Sequence, residues 1–472
     1  MNDQLIKLSL LGAPLLLAGL NGYPAEKTKG ADKPNFVIFI ADDAGWNDIG
    51  PYGNSGIQTP NIDRLTREGL TFHNAFVTTS SCSPSRCSIM TGLYPHNTGA
   101  GELHLPLPAD KKIFPGELKK NGYYTVAAGK WHLGPNRTEF DSIFHPHEAS
   151  GAADWARALE NRPKNKPFFM WLAANDPHRP YAEKQIIPRP NQAGGVFIPP
   201  FIPDNDLIRE DFRKYYDEIS RLDANIGKVM DQLDKEGLAE NTVIIFLSDN
   251  GRPFPRSKTR LYDSGVKTPF IVRWPGHIKG GSRSESLVSS IDIAPTLCEL
   301  AGVPLPKEFQ GKSFTKLFTD TEATIHDFIF AEHNWHDYQA HERLVRSEKF
   351  LYIKNRLPLL TASPPADAVS GVTFQEMIRL FHMDQLTGPQ KDSFVAPRAS
   401  EELFDVINDP FQLTNLAASA GHAGVLKQMR QELEKWIALT GDSTFQKPAA
   451  DMYDRLTGRP LPGVKVRKPE NF

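Results

Sequence analysis

Residues Asn35–Ala41 read NFVIFIA, β-branched and aromatic with no alternation of polar positions. A half-exposed strand would alternate, so this composition predicts a strand covered on both faces inside a parallel sheet. The constraint is strong because the pattern recurs at 123–128 (YYTVAA), 167–173 (PFFMWLA), 242–247 (TVIIFL) and 269–274 (PFIVRW). Helical segments separate these runs. Thr59-Pro60 has the form of a cap followed by a first-turn proline, with Ile62 and Leu65 on one face before Gly69. A longer segment sets Phe212, Tyr215, Ile219, Leu222, Ile226, Val229 and Leu233 at helical spacing up to Gly237, a stripe that predicts core packing. Strands alternating with helices predict an α/β architecture with a large, mostly parallel central sheet flanked by helices. In such sheets ligands gather beyond the carboxyl ends of the strands.

The residues just past each strand are therefore informative. Asp42-Asp43 comes after the first run, Gly129-Lys130-Trp131-His132 after the second, Asn175-Asp176-Pro177-His178 after the third and Ser248-Asp249-Asn250-Gly251 after the fourth. Asp42, Asp43, Asp249 and Asn250 offer only oxygen donors, the preference of calcium or magnesium, whereas zinc would call for histidine or thiolate. A single Asp-Asp pair is more often a helix cap or a loop acid. Two pairs at neighbouring strand ends make a cation site the better reading.

The chain has 472 residues, 40% hydrophobic and 23% charged, enough for a sizeable core with one large and one smaller domain. A formal charge of -2 gives no global field for nucleic acid or anionic membranes, so any anion recognition is local. Lys7 precedes a mostly apolar run over 8–20, too short to span a bilayer but suited to the core of a secretory signal. Residues 1–30 are thus expected to be a signal peptide and linker of an exported protein, periplasmic or secreted. Leu20 stands where lipid attachment would need cysteine, and no other run is long enough for stable membrane insertion. Residues 31–340 are expected to form the catalytic domain and 341–472 a C-terminal subdomain and tail. That second part combines short charged strands, a Pro/Ala-rich loop over 357–369 and a final helix carrying Val425, Met429, Leu433 and Trp436 on one face. The tail from Gln446 is expected to wrap the surface or to be disordered.

Three cysteines, Cys82, Cys87 and Cys298, leave an odd thiol in a chain expected to be exported. Two of them lie in 81–92 (SCSPSRCSIMTG). There Ser83 is expected to cap and Pro84 to begin a helix running to Met90, with Thr91-Gly92 ending it. A bridge between Cys82 and Cys87 is disfavoured, because such a helix points the two side chains apart. Cys82 then lies at the positive end of a helix, with Arg86 one turn in, a setting that favours an anion. A low-pKa thiolate and a buried structural cysteine both remain compatible with these residues.

Cys82-x-Pro84-x-Arg86 followed by Thr91-Gly92 resembles the signature of the formylglycine-dependent (type I) sulfatases, in which the cysteine is converted after synthesis to formylglycine. The strand-end groups match as well: Asp42-Asp43, Lys130 and His132 in Gly-Lys-Trp-His, His178 in Asp-Pro-His, and Asp249-Asn250 in Ser-Asp-Asn-Gly. The resemblance extends from about Asn35 to 402–416 (ELFDVINDPFQLTNL). It implies an alkaline-phosphatase-like sandwich with a smaller C-terminal α+β subdomain, and a formylglycine-generating maturation enzyme as a partner. It also implies one calcium ion held by Asp42, Asp43, Asp249, Asn250 and the modified Cys82. In the family's chemistry a hydroxyl of the hydrated aldehyde at 82 attacks sulfur, with Asp249 assisting its deprotonation and Arg86 stabilising the alkoxide. Lys130, His178 and Lys258 would contact the sulfate oxygens, His178 would protonate the leaving group, and His132 would take a proton from the second hydroxyl to release sulfate.

The segment Ser248–Tyr262, together with Gly101-Glu102-Leu103-His104 and Asp176-Pro177-His178-Arg179, resembles the N-sulfoglucosamine sulfohydrolase (heparan sulfamidase) branch. Two departures stand out: Lys258 where that branch is expected to have arginine, and Asp263-Ser264-Gly265 in place of Trp-Pro-Gly. The expected substrate is a sulfated saccharide, with terminal N-sulfated glucosamine of heparin or heparan sulfate ahead of an O-sulfated host or algal polysaccharide. His104, His333, His336 and Arg346 are the candidate sugar contacts, and specificity should lie in 183–204 and 331–337. A zinc-dependent phosphatase or phosphodiesterase of the same superfamily is disfavoured by the Cys-x-Pro-x-Arg segment and the all-oxygen cation site. A catalytically silent glycan-binding protein is disfavoured because nothing essential is missing.

Overall fold

Asn35–Ala41 sits at the centre of an eight-stranded sheet in which Phe36, Val37, Ile38, Phe39 and Ile40 have no exposed surface, as the unalternated run predicts. The computed structural model describes residues 33–184, 186–442 and 448–468; the expected signal peptide lies outside them. Across the sheet the order is Ser142–Phe144, Tyr124–Gly129, Phe168–Ala173, Asn35–Ala41, Thr242–Ser248, Phe270–Arg273, Leu70–Phe72 and Ser282–Ser284. The first five run parallel, but Phe270–Arg273 is antiparallel to both of its neighbours, so the fifth predicted strand reverses direction.

Alternate residues of the central strand serve two cores. Phe36, Ile38 and Ile40 pack with helices Cys82–Thr91, Phe114–Lys120 and Ile293–Leu300 through Ile89, Phe114, Leu118 and Leu297. Val37, Phe39 and Ala41 pack with Pro60–Glu68, Trp155–Glu160 and Asp206–Lys235. The expected stripe of Asp206–Lys235 is buried throughout, and Asn205 caps this helix by accepting a hydrogen bond from Ile208 N at 3.1 Å.

A second, antiparallel sheet orders Ile329–His336, Tyr338–Arg346, Phe350–Asn355 and Glu401–Asp405. Helix Ala423–Thr440 covers it with Leu426, Met429, Leu433 and Trp436, which pack on Val345, Tyr352 and Leu403. Leu426 therefore takes the buried place expected for Val425, which is only partly buried. The described part of the tail lies along the surface: Ala450 O accepts from Trp335 Nε1 at 3.0 Å, and Arg467 pairs with Glu102 at 3.0 Å.

Candidate active site

Register brings the strand ends together. Ala41 pairs with Ser248 and Gly129 with Ala173, so Asp42, Asp249 and Lys130 emerge side by side. Backbone bonds fix the exits: Asp249 N donates to Ala41 O at 3.1 Å, Asp42 N to Asp176 O at 2.9 Å and Lys130 N to Ala173 O at 2.8 Å. Gly129 is required before Lys130, since its φ is +95° and a Cβ would stand 1.9 Å from Ala173 O. Asp43, His104, His132, Arg256 and Thr259, all non-glycine, have φ between 55° and 76°, and this concentration of left-handed backbone marks a place where strain is maintained for position.

Helix Cys82–Thr91 delivers the motif residues. Cys82 is its first residue and Ser81 its extended N-cap, earlier than the cap expected at Ser83. The Ser83 hydroxyl instead accepts from His104 N at 2.9 Å. Gly92, left-handed at φ 65°, ends the helix. Cys82 Sγ lies 3.9 Å from Asp43 Oδ1. Cys87 is buried in the sheet-packing core, and all three cysteines are free, so no bridge joins Cys82 to Cys87.

Every charge in the site has an opposite neighbour. Fully buried Arg86 donates from Nε to Asp249 Oδ2 at 2.7 Å and from a terminal nitrogen to Lys130 O at 2.9 Å, and it faces Asp42 Oδ1 at 3.8 Å. Lys130 pairs with Asp42 Oδ2, and Lys258 with Asp43 Oδ2 at 2.8 Å. Asn250 Nδ2 donates to Asp43 Oδ1 at 2.7 Å, and Asp43 N donates to Asp249 Oδ1 at 3.3 Å. His178 Nε2 stands 3.8 Å from Asp43 Oδ2 and 3.4 Å from Asp367 Oδ2.

These contacts divide the carboxylates. Burial pushes Asp249 up to about 7 against the pull of Arg86. Burial acts on Asp42 in the same sense, yet Lys130, His178, Arg86 and Lys258 together hold it below the ordinary carboxyl range. Burial also pushes the Cys82 thiol far above its usual range, overcoming Lys258 and Lys130. The low-pKa thiolate suggested by the helix N-terminus is therefore not what this environment makes.

Of the expected metal ligands, Asp42, Asp43 and Cys82 present donor atoms within 4.8 Å of one another, and Asp249 and Asn250 border them. The donor set suits a hard cation. Asp42 Oδ1 and Asn250 Oδ1 are both buried without a hydrogen-bond partner, which is a cost unless a ligand meets them.

The sugar contacts are less well placed. Arg346 is outside the site: it is buried against Asp263, 3.2 Å from both carboxylate oxygens, with its guanidinium over the Phe76 ring. His104 directs Nδ1 to His132 Nε2 at 2.7 Å rather than toward a sugar. His333 and His336 are buried and line a narrow crevice of about 20 Å³ beside Thr259, Glu342 and Arg398. That volume admits a water or a single substituent, not a sugar ring. Asp367 was not singled out by sequence. It arrives on Ala366–Val369, within the Pro/Ala-rich loop, and its only local signal is a lone acid among apolar residues.

Residues 34–303 match the sulfatase family, and 256–355 match the family described as N-sulphoglucosamine sulphohydrolase, C-terminal. The chain belongs to the sulfatase family. It is 30% identical over 486 residues to an ulvan-active sulfatase of Formosa agariphila, covering 93% of this chain and 80% of that protein. It is 31% identical over 471 residues to human N-sulphoglucosamine sulphohydrolase, covering 90% and 93%. A solved structure described as a complex with its substrate D-glucosamine-2-N,6-O-disulfate superposes with a TM-score of 0.69 at 21% identity, covering 87% of this chain and 99% of that one. The fold is thus alkaline-phosphatase-like, and the chain is a sulfuric ester or sulfamate hydrolase.

Proposed function

We propose that this sulfatase is an exported, exo-acting enzyme that removes the N-sulfate from terminal glucosamine of heparin or heparan sulfate, using formylglycine made from Cys82 and one calcium ion. The observation that carries the substrate is the match of 256–355 to the C-terminal N-sulphoglucosamine sulphohydrolase family, joined to the 31% identity with the human enzyme over almost its whole length. The calcium would be held by Asp42, Asp43, Asp249, Asn250 and the modified residue 82. Matured Cys82 supplies a hydrated aldehyde, one hydroxyl of which attacks sulfur while the other allows sulfate to be expelled.

The remaining chemistry belongs to side chains already placed. Asp249, which accepts from Asp43 N and pairs with Arg86, takes the proton of the attacking hydroxyl. Arg86 spans Asp249 and Asp42 from the helix and stabilises the negative charge that develops beside residue 82. Lys130 and Lys258 exchange part of their hold on Asp42 and Asp43 for the sulfate oxygens. His178, at the partly exposed edge of the site, delivers its Nε2 proton to the leaving nitrogen or oxygen. His132 takes up the proton released when sulfate departs. For localisation, no described helix is long and apolar enough to cross a membrane.

An O-sulfatase acting on an algal polysaccharide is the second reading, favoured by the ulvan-active relative that covers 93% of this chain. Comparing sulfate release from N-, 2-O-, 3-O- and 6-O-sulfated glucosamine and from ulvan oligosaccharides separates the two. Preferred N-sulfate release supports the proposal, and preferred O-sulfate release overturns the substrate while leaving the class. Cys82→Ala should abolish turnover, and chelation should suppress it until calcium is restored. Full activity in either case would remove the mechanism.

A further inference from the structure

His104 and His132 form a pair that the proposed chemistry does not account for. Their rings meet Nδ1 to Nε2 at 2.7 Å with centroids 4.9 Å apart. Both residues have left-handed backbone, φ 64° and 55°, which a residue with a Cβ adopts only where its surroundings impose it. Those surroundings are specific. Leu107 N donates to Leu133 O at 3.0 Å, locking the two loops together, and His104 N donates to Ser83 Oγ beside Cys82. Two left-handed residues thus bring their rings into one hydrogen bond.

We propose that His104 is a positioning residue: its Nδ1 accepts a hydrogen bond from His132 Nε2–H, leaving the lone pair of His132 on Nδ1. The inference rests on the reading above, in which His132 takes a proton. A neutral imidazole carries one N–H, so the proton in the 2.7 Å bond decides which ring can act. If His104 donates, His132 must carry its own proton on Nδ1 and offers no accepting nitrogen. If His132 donates, Nδ1 is the base.

The proton-accepting role of His132 selects the second arrangement, since only then does it keep an accepting nitrogen. Burial first, then Lys130, His104, Arg86 and Lys258, hold His132 well below its ordinary range. His104 in turn feels His336, Asp337, Lys130 and Lys258, and burial first of all holds it down to about 3, so both rings are neutral at neutral pH. The tautomer of a histidine is set by the bond its other nitrogen makes.

Two substitutions separate position from packing. His104→Asn tolerates a left-handed backbone and offers Oδ1 as an acceptor near the place of Nδ1. His104→Gly tolerates the same backbone and offers none. In selectively ¹⁵N-histidine-labelled full-length protein, long-range ¹H–¹⁵N spectra should find the His132 proton on Nε2 in wild type and His104→Asn, and no longer fixed there in His104→Gly. In turnover, His104→Gly should lower kcat by about 100-fold with KM little changed, the low end of what a positioned base contributes, and His104→Asn should recover most of it. A proton on His132 Nδ1 in wild type, or unimpaired kcat in His104→Gly, would overturn the proposal. If wild type releases no sulfate from any substrate the functional reading fails, while the nitrogen spectra still decide His104.

Discussion

Replacing Arg86 by methionine keeps most of the side chain's volume and removes its charge. The structure puts Arg86 Nε 2.7 Å from Asp249 Oδ2, both fully buried, so the change leaves Asp249 and Asp42 with one counter-charge fewer. Breaking one partner of a buried ion pair costs about 3–5 kcal/mol, and loss of the bond to Lys130 O adds about 1 kcal/mol. Protonation of Asp249 sets the sign of the pH dependence. This carboxyl is already pushed up to about 7, and without Arg86 it is pushed further, so below neutral pH it takes a proton and needs no partner. The loss in Arg86→Met should therefore still be growing at pH 8, be full only above the raised pKa of Asp249 in the variant, and shrink as pH falls through 7 toward 6. Adding Asp249→Asn should recover at least half of the loss at the alkaline end, a coupling of about 2 kcal/mol or more in the double-mutant cycle. Urea unfolding followed by tryptophan fluorescence, in chelator and again in calcium, measures both. A loss below about 1 kcal/mol at the alkaline end, or a double variant no more stable than Arg86→Met, would refute uncompensated charge as the reason this arginine is needed.

Burial first, with His336, Arg260 and Arg398, holds His333 at about 3, well under an unfolded value near 6.5. Below 6.5 the unfolded chain binds a proton that the folded one refuses, so stability is complete above 6.5 and falls as pH drops toward 3. Between pH 6.5 and 5 this amounts to about 2 kcal/mol from the one residue, and His333→Gln should flatten the urea midpoint over that interval by a corresponding amount. Gly129→Ala should destabilise by more than about 3 kcal/mol, because φ is +95° and the new Cβ would meet backbone oxygens at 1.9 and 2.5 Å. Its yield of soluble protein and its melting temperature report the loss, and near-wild-type values in both would contradict the close approach.

The strands were legible because burial on both faces leaves no polar position, and the strand ends were legible because parallel pairing in register gathers the residues just past each strand in one place. Asp42, Lys130, His178 and Asp249 needed nothing further. Direction within the sheet was not legible in 269–274, since an apolar run has the same composition whether it runs parallel or antiparallel. Long-range partners were the other loss. Arg346 has the charge of a sugar ligand, but its partner Asp263 stands where the sulfamidase branch is expected to have tryptophan, and only the fold shows the two in contact. Asp367 comes from a loop with no periodicity and reaches His178 through tertiary placement alone. His104 and His132 lie 28 positions apart, and no local pattern marks a ring-to-ring bond.

Electrostatics joins these pieces to the chemistry. Asp42, Asp43 and Asp249 face Arg86, Lys130 and Lys258, so the formal charges of the inner site cancel, and Lys130 and Lys258 are each engaged by a carboxylate. Side chains so balanced exert little net pull on a sulfate group, whatever the local contacts. A divalent cation among Asp42, Asp43, Asp249 and Asn250 would change this in two ways. It would satisfy the buried Asp42 Oδ1 and Asn250 Oδ1, and it would release the lysines to the incoming anion. The proposed calcium would then act on substrate binding as much as on the nucleophile, so lowering free calcium should raise KM for the sulfated sugar before kcat falls. A loss confined to kcat would place the cation's whole effect on the attacking group and leave the lysines bound to their carboxylates.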